Sequence, residues 1–492
     1  MVDVLAQFWS QLRSFAATNL TGATLLSAAI VAFDVWAIAR ALTRGHGVQG
    51  TLTWIFAILA FPAAGATAFF LLASPSVKRV MLKRQRAAAL VRKDLGAVAA
   101  RKGGDVESGD SLVDLAVALT GLAPTGGNAV ELLTDDALTF ERIEAAIKAA
   151  RRFVWAEYYI IRNDETGRRF LALLHERAKD GVEVRLIYDA LGSMAINARF
   201  LRAIVAAGGK ARAFQPMNPL RRRLAVHLRN HRKLIVVDGE VGFTGGMNVG
   251  DEYSGRRRRE GLKSFRDSHL ELRGPAVQSL AHAFIEDWAF TGGGTLPPPA
   301  AEAPVRSPGS LVAIVPSGPD QEHNASAMVH FAGVASARRR VQLTSPYFIP
   351  DEATMSALVS AALRRVDVRV LVPTFERSNL RLVALAARSY YGKLLRGGVR
   401  IFEYEPSMLH AKTLVVDGQV AFIGSANVDI RSFRLNFEIG ALVNDAAFAG
   451  ALERRFVRDV VQAREVTLDE LARTGRLTRL RQTLARLLSP IL

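Results

Sequence analysis

The chain has 492 residues, 50% of them hydrophobic and 22% charged, which is room for two core-forming domains of roughly 150–200 residues beside a smaller segment. Its 64 Lys and Arg against 46 Asp and Glu give a formal net charge of +18, which points to an anionic partner, either nucleic acid or a membrane surface. There is no cysteine, which excludes disulfides and thiolate metal sites, and the nine histidines form no metal-spaced cluster, so the sequence calls for no metal and no cofactor.

From the amino terminus, two apolar stretches come first. Residues 52–73 (LTWIFAILAFPAAGATAFFLLA) carry no charge over 22 positions, enough to cross a hydrocarbon core that needs about 20. Pro62 should kink that span. Residues 20–39 are richer in small and hydroxyl side chains and hold Asp34, a charge that costs about 2.5–3.5 kcal/mol at mid-span. Only residues 40–51 separate the two, so an N-terminal transmembrane helical hairpin is expected. Lys78, Arg79, Lys83, Arg84, Arg86, Arg92 and Lys93 follow it, against Arg40 and Arg44 between the stretches. By the positive-inside rule the amino terminus and everything after the hairpin lie on the cytoplasmic side. Residues 1–95 thus read as a membrane anchor with a basic juxtamembrane segment, and the spans tilt the anionic partner from nucleic acid toward lipid.

Helix and strand patterns then alternate. In residues 111–290 the helical period of 139–152 precedes the strand-like FVWAEYYII, followed by a helix near 170–179, the strand VEVRLIYDA and a helix near 197–207. Residues 291–309 contain GGG and PPP and read as a flexible linker. Residues 310–462 repeat the scheme with a helix at 325–337, the strand RVQLTSPYF, a helix at 353–363 and the strand DVRVLVP. The expected fold class is α/β, two similar layers related by a pseudo-twofold axis. In residues 463–492, Leu477, Leu480, Leu484, Leu487 and Leu488 recur at helical spacing among Arg476, Arg479, Arg481 and Arg486. That basic amphipathic segment suits either an interfacial helix on anionic lipid or a helix docked by its leucines onto the core. Arginine clusters at 221–223, 256–259 and 338–340 read singly as solvated faces. Arg256 is the exception, close enough after the first motif described next to help hold a lipid phosphate.

The chemistry lies in one motif written twice. HRKLIVVDGEVGFTGGMNV (231–249) recurs as HAKTLVVDGQVAFIGSANV (410–428), with 11 of 19 positions identical. Each has a short apolar run ending in Asp-Gly and a second strand-like run, a hairpin signal. A two-residue turn at Asp238-Gly239 pairs Val237 with Glu240 and sets His231 opposite Gly246; the same count sets His410 opposite Ser425. His231, Lys233 and Asn248 then share one face at one end of their hairpin, as do His410, Lys412 and Asn427. Asp238 and Asp417 fall at the far end, roughly 20 Å away at about 3.3 Å per residue, and read as turn and fold residues. Gly245 and Gly424 suit a rim where a ligand nears the backbone. An imidazole, an ammonium and a carboxamide from each half suit an anionic tetrahedral centre: one His attacks phosphorus and the other protonates the leaving oxygen, without a metal.

This constellation resembles the phospholipase D superfamily, and from about 128 to 445 the chain resembles the bacterial cardiolipin synthases of that type. EYYIIRNDETGRR, GGMNVGDEY and FRDSHLELRGPAV carry the resemblance in the first half, and PSGPD, TSPYFIPDE and GSANVDIRSFRLNFE in the second. It implies two phospholipase D-like halves in a bacterial cytoplasmic membrane, transferring a phosphatidyl group from one phosphatidylglycerol to a second to give cardiolipin and glycerol. It also implies His231 as nucleophile and His410 as general acid and base, an order the symmetry of the motifs leaves open. Asp267 and Glu438 match family positions that hold the histidine tautomers, the alternative being ordinary surface ion pairs. Tyr347 either touches substrate or packs in the core. The loop at 374–379 departs from the more Asp- and His-bearing family pattern, which leaves second-substrate contacts there open, and His227 and His269 are not counted as catalytic. A hydrolase releasing phosphatidic acid would share every motif residue. A non-catalytic basic scaffold on membrane and nucleic acid is a third, weaker reading.

Overall fold

A computed structural model describes residues 2–43, 47–72, 76–99, 110–215, 228–255, 264–299, 309–487 and 489. The arginine clusters at 221–223 and 256–259, Arg256 among them, lie outside these residues, as do His227 and part of the 291–309 linker. The chain divides into two compact units, Met1–Arg79 and Val80–Leu492.

In the first unit Val2–Thr43 is a single helix, within which Thr24–Thr43 is long and apolar enough to cross a membrane. The second apolar stretch, expected as one kinked span, forms two shorter helices, Gly47–Ala60 and Ala64–Leu72. Pro62 breaks it, since proline lacks an N–H and its ring clashes with the preceding turn. Ala63 sits at a φ of 60°, and its N–H donates to Oδ1 of Asp34 at 3.0 Å. The charge expected to burden the first stretch therefore satisfies a backbone donor exposed by the break in the second.

The second unit contains a 16-stranded mixed sheet in which the two halves repeat one strand order. The first half runs Thr125–Leu133, His269–Arg273, Val241–Gly245, Lys233–Val237, Phe153–Tyr158, Glu183–Asp189, Lys210–Phe214. The second runs Ser310–Ser317, Asn436–Asn444, Val420–Gly424, Thr413–Val416, Arg340–Thr344, Asp367–Pro373, Arg400–Tyr404 and adds Ala463–Glu465, and the sixteenth strand, Arg229–Asn230, pairs with Asn436–Asn444 off this path. Thr125–Leu133 pairs antiparallel with Ser310–Ser317, so the expected pair of layers is joined into one sheet. Leu234, Val236, Leu270 and Leu272 of the first half share a core with Ile423, Ile439 and Ala441 of the second, sealed by Leu280, Phe284 and Trp288 of the helix Ala276–Phe290. This shared core brings the two motif hairpins to one interface. The helix Ser111–Thr120, assigned to the first half from sequence, instead buries Leu112, Val113 and Ala116 in the second half's outer core.

Each motif hairpin turns over three residues. Val237 pairs with Val241 and Val416 with Val420, one residue out of step with the two-residue count. The aspartates explain the difference. Asp238 and Asp417 adopt φ of 54° and 53°, followed by Gly239 and Gly418 at 73° and 70°, the left-handed pair such a turn needs. The carboxylate of Asp238 accepts the N–H groups of Arg151, Arg152 and Phe153, each at 2.8 Å. Asp417 does the same for Arg338, Arg339 and Arg340, at 2.9, 2.7 and 2.9 Å. Both acids thus fasten the start of the neighbouring strand, away from the histidines.

The basic run expected to face lipid is partly internal. Arg84, on the helix Ser76–Ala99, is 1% exposed and pairs with Asp287 at 2.6 Å, Glu286 at 3.3 Å and Asp320 at 3.6 Å. Lys83 donates to the carbonyl of Phe290 at 2.8 Å. A cluster of acids at the end of the helix Ala276–Phe290 has captured side chains that composition alone would leave in solvent. Breaking one partner of a buried ion pair costs about 3–5 kcal/mol, so Arg84→Met is expected to lower unfolding stability by that order, read from the denaturant midpoint in detergent. An unchanged midpoint would contradict this assignment.

Candidate active site

Each histidine is positioned by the opposite half. The N–H of His231 donates to the carbonyl of Phe437 at 2.8 Å, and the N–H of His410 to the carbonyl of Arg266 at 2.7 Å. Two short parallel pairings flank these contacts, Arg229–Asn230 on Asn436–Phe437 and Phe265–Arg266 on Met408–Leu409. The side chains follow the same crossing. His231 Nδ1 lies 2.9 and 3.0 Å from the two carboxylate oxygens of Glu438, and His410 Nδ1 lies 2.6 Å from Oδ2 of Asp267. Sequence placed each carboxylate downstream of its own motif; in space each serves the other motif's histidine. A carboxylate can only accept, which assigns the hydrogen to Nδ1 of His231 and leaves its lone pair on Nε2, the form a nucleophile or base requires. Nδ1 of His410 faces both Asp267 at 2.6 Å and Nζ of Lys412 at 2.7 Å, and the shorter contact to the carboxylate assigns it the same form.

The two carboxylates are seated differently. Gly246 leaves room for Asp267: a Cβ there would lie 2.0 Å from Oδ1 of Asp267. The matching Ser425 instead donates its hydroxyl to Glu438 at 2.5 Å, and Asn436 Nδ2 donates at 3.2 Å. Burial alone would raise both acids. His231, Lys233 and Ser425 hold Glu438 down at about 2, and Lys412 and His410 hold Asp267 below the usual range. Gly245 and Gly424, read as a ligand rim, are needed for a neighbouring strand instead. A Cβ on Gly245 would lie 2.8 Å from the Cα of His269, and one on Gly424 2.6 Å from the carbonyl of Ile439.

Lys233 and Lys412 are buried and turned onto the carbonyls of His231 and His410. Burial lowers both lysines, and Lys412 pushes Lys233 the same way, while Glu438 and Asp267 oppose the fall, which leaves Lys233 at about 7 and Lys412 at about 8. Burial also depresses His231 to about 4, with Lys233 pushing the same way, and His410 to about 3, with Lys412 pushing the same way. The site therefore holds its protons loosely, and a phosphodiester anion would tighten all four. kcat/KM reports the free enzyme, so if these lysines hold an anionic substrate it is expected to fall as pH rises through about 7 to 8, where they lose their charge. A profile flat to about pH 9 would contradict this.

The asparagines are already engaged. Asn248 accepts the N–H of Ile160 at 3.2 Å and donates to the hydroxyl of Tyr253 at 3.1 Å, while Asn427 bonds to Asp429. Tyr253 stands edge-on to His410 at 5.3 Å, and Tyr159 edge-on to His231 at 4.9 Å. Both tyrosine walls come from the first half. Neither was singled out in sequence, where EYYII reads as an apolar strand. Tyr347 donates to Oδ1 of Asn379 at 2.9 Å and senses Asp429 and Tyr159, which puts it beside the site, and Asn379 belongs to the loop that lacks the expected Asp and His. His269 is buried next to Gly245 with no hydrogen-bond partner for either ring nitrogen among the described residues. Burial, aided by Lys233, holds it at about 4 and hence neutral.

Arg232, between His231 and Lys233, was also overlooked. Its Nε donates to the carbonyl of Glu438 at 3.0 Å and its Nη1 to Asp287 at 2.5 Å, which ties the His231 clasp to the same acid that holds Arg84. The adjacent His-Arg-Lys offered a signal, since a guanidinium between two inward residues on a buried strand must find a buried acid.

Comparison with known proteins agrees with this geometry. A family model described as cardiolipin synthase, phospholipase D-like domain, matches residues 143–288 and 332–460. Cardiolipin synthase A of Pseudomonas aeruginosa (strain LESB58) is 42% identical over 376 residues, 76% of either chain. That of Pseudomonas putida (strain W619) is 43% identical over 365 residues, 74% of this chain and 75% of its own. Among solved structures, phosphatidylserine synthase of Haemophilus influenzae Rd KW20 superimposes with a TM-score of 0.60 at 15% identity, covering 78% of this chain and 100% of that one, which supports the fold. Duplicated motifs, a repeated strand order and these relatives together establish that the chain belongs to the cardiolipin synthase family of phospholipase D-like enzymes.

Proposed function

We propose that this chain is a membrane-bound phosphatidyltransferase that joins two phosphatidylglycerol molecules into cardiolipin and releases glycerol. The observation that carries the proposal is the crossed pair of histidine–carboxylate clasps, His231 with Glu438 and His410 with Asp267. Nε2 of His231 attacks phosphorus, and the bond from phosphorus to the glycerol headgroup oxygen breaks. That oxygen takes a proton from Nε2 of His410, and glycerol leaves. Neutral His410 then accepts the hydroxyl proton of a second phosphatidylglycerol, whose oxygen displaces His231 and forms cardiolipin. Lys233 and Lys412 supply fixed charge around the phosphate oxygens. Asn248 and Asn427 keep the loops that carry Tyr253 and Asp429 in place. The acid form of His410 depends on the lipid anion and Asp267, which together offset the burial that keeps it neutral otherwise.

The anchor fits the same chemistry. Thr24–Thr43 spans the membrane, the broken helices Gly47–Ala60 and Ala64–Leu72 return as the second arm of the hairpin, and the catalytic unit lies on the cytoplasmic side. Substrates and product then stay in one bilayer. Water in place of the second lipid would give phosphatidic acid from the same residues. Expression in membranes that lack cardiolipin, followed by lipid mass spectrometry, separates the two. Cardiolipin appearing with free glycerol is expected; phosphatidic acid without cardiolipin would make the chain a hydrolase.

A further inference from the structure

The C-terminal helix Arg476–Leu487 docks on the protein with its leucines turned outward. Ala485 is the one buried residue of that helix, while Leu477, Leu480, Leu484 and Leu487 are 62%, 54%, 53% and 72% exposed. At 3.6 residues per turn the four leucines fall within an arc of about 80°. Arg476 and Arg481 flank that arc on either side, and neither has an ion-pair partner among the described residues. The other two arginines serve the fold. Arg479 donates to the carbonyls of Leu471 and Ala472, at 3.2 and 2.5 Å, and Arg486 lies 4.8 Å over the ring of Tyr390. Tyr390 also donates to the Ser489 hydroxyl at 3.1 Å, so the helix is held to the neighbouring helix Arg381–Arg396 from its inner side. Residues 471–492 contain no acid.

We infer that this leucine ridge is a docking surface for an anionic lipid bilayer, with Arg476 and Arg481 at the headgroup level. An apolar stripe bordered by Arg476 and Arg481, which have no ion-pair partner among the described residues, matches an acyl boundary topped by phosphates. A second copy of the chain fits less well. Four leucines offer roughly 400 Å² per chain, below the approximately 800 Å² per partner of a stable dimer. The docked helix also bears on the reaction. Its partner helix Arg381–Arg396 starts two residues after Asn379, which holds Tyr347 beside the site. Seating the ridge on the bilayer therefore steadies the rim over which the second lipid arrives.

The chain has no cysteine, so a single label reports the contact without further engineering. Leu480→Cys, on the ridge, and Thr478→Cys, on the opposite exposed side, are each labelled with a polarity-sensitive dye. The full chain is then reconstituted in phosphatidylcholine vesicles with or without phosphatidylglycerol. With phosphatidylglycerol the Leu480 label is expected to shift to the blue and to be quenched by bromolipid about threefold more than the Thr478 label. Replacing Arg476 and Arg481 with glutamine should remove that preference for anionic vesicles. Equal quenching at both positions overturns the inference, as does a blue shift in detergent that grows with protein concentration, which would mark self-association. The readout needs no turnover, so it stands apart from the phosphatidyl-transfer proposal. In the unlabelled chain, Leu480→Glu with Leu484→Glu should cut turnover of bilayer phosphatidylglycerol at least about fivefold and leave short-chain lipid in micelles within about twofold. Equal loss on both substrates would assign the leucines to folding instead.

Discussion

Replacing His231 with alanine is expected to lower kcat by at least about 10⁴-fold and to abolish any covalent phosphatidyl-enzyme, because the proposed mechanism gives the attack to His231 and leaves His410, the other imidazole set by a buried carboxylate, on the leaving-group side. His410→Ala should stop turnover of lipid to a similar degree, yet for a different reason. Without a proton donor the glycerol oxygen cannot leave, whereas a nitrophenolate leaving group needs none. A phosphatidyl nitrophenol substrate given to His410→Ala should therefore release one equivalent of nitrophenolate in a burst and leave the phosphatidyl group on the protein. A burst from His231→Ala and none from His410→Ala would exchange the two roles. The motifs are near copies, so the sequence alone leaves that order open.

The second large effect follows from the crossing. Glu438→Gln, in the second half, should disable the histidine of the first half, and Asp267→Asn that of the second. Losing the carboxylate that sets a catalytic imidazole costs on the order of 10⁴-fold in kcat. Glu438→Gln should thus reproduce the missing burst of His231→Ala, and Asp267→Asn the stalled turnover of His410→Ala. Combining Glu438→Gln with His231→Ala should add little, since both remove one unit. If Glu438→Gln instead behaved like a His410 variant, each half would be self-contained and the crossed geometry would be wrong. Glutamine keeps the volume, and its single oxygen can still accept from either Ser425 or Asn436, so the change falls mainly on charge and tautomer.

Much of this was legible in the sequence because it is local. The hairpins, the repeat and the inward histidines and lysines follow from period-two patterning and Asp-Gly turns. What escaped was set by distant partners. The His231–Glu438 contact spans 207 residues and the His410–Asp267 contact 143, and nothing in strand periodicity says which half supplies an acid. The hairpin count missed by one residue because Asp238 and Asp417 bind three backbone donors of another strand, a demand invisible in the turn itself. Arg84 read as a lipid-facing charge because its acids lie about 200 positions further on. The carboxy-terminal leucines posed the opposite problem: spacing gave the stripe, and only packing around Ala485 and Tyr390 told which way it faces.

The most direct measurement is a structure of the chain bound to vanadate, which adopts the five-coordinate shape of phosphorus during transfer. One vanadium is expected, bonded to Nε2 of His231, with an opposite oxygen hydrogen-bonded to Nε2 of His410 and the remaining oxygens held by Lys233 and Lys412. Vanadate held by the residues of one half alone, with the other imidazole out of reach, would contradict a single phosphate shared between the halves.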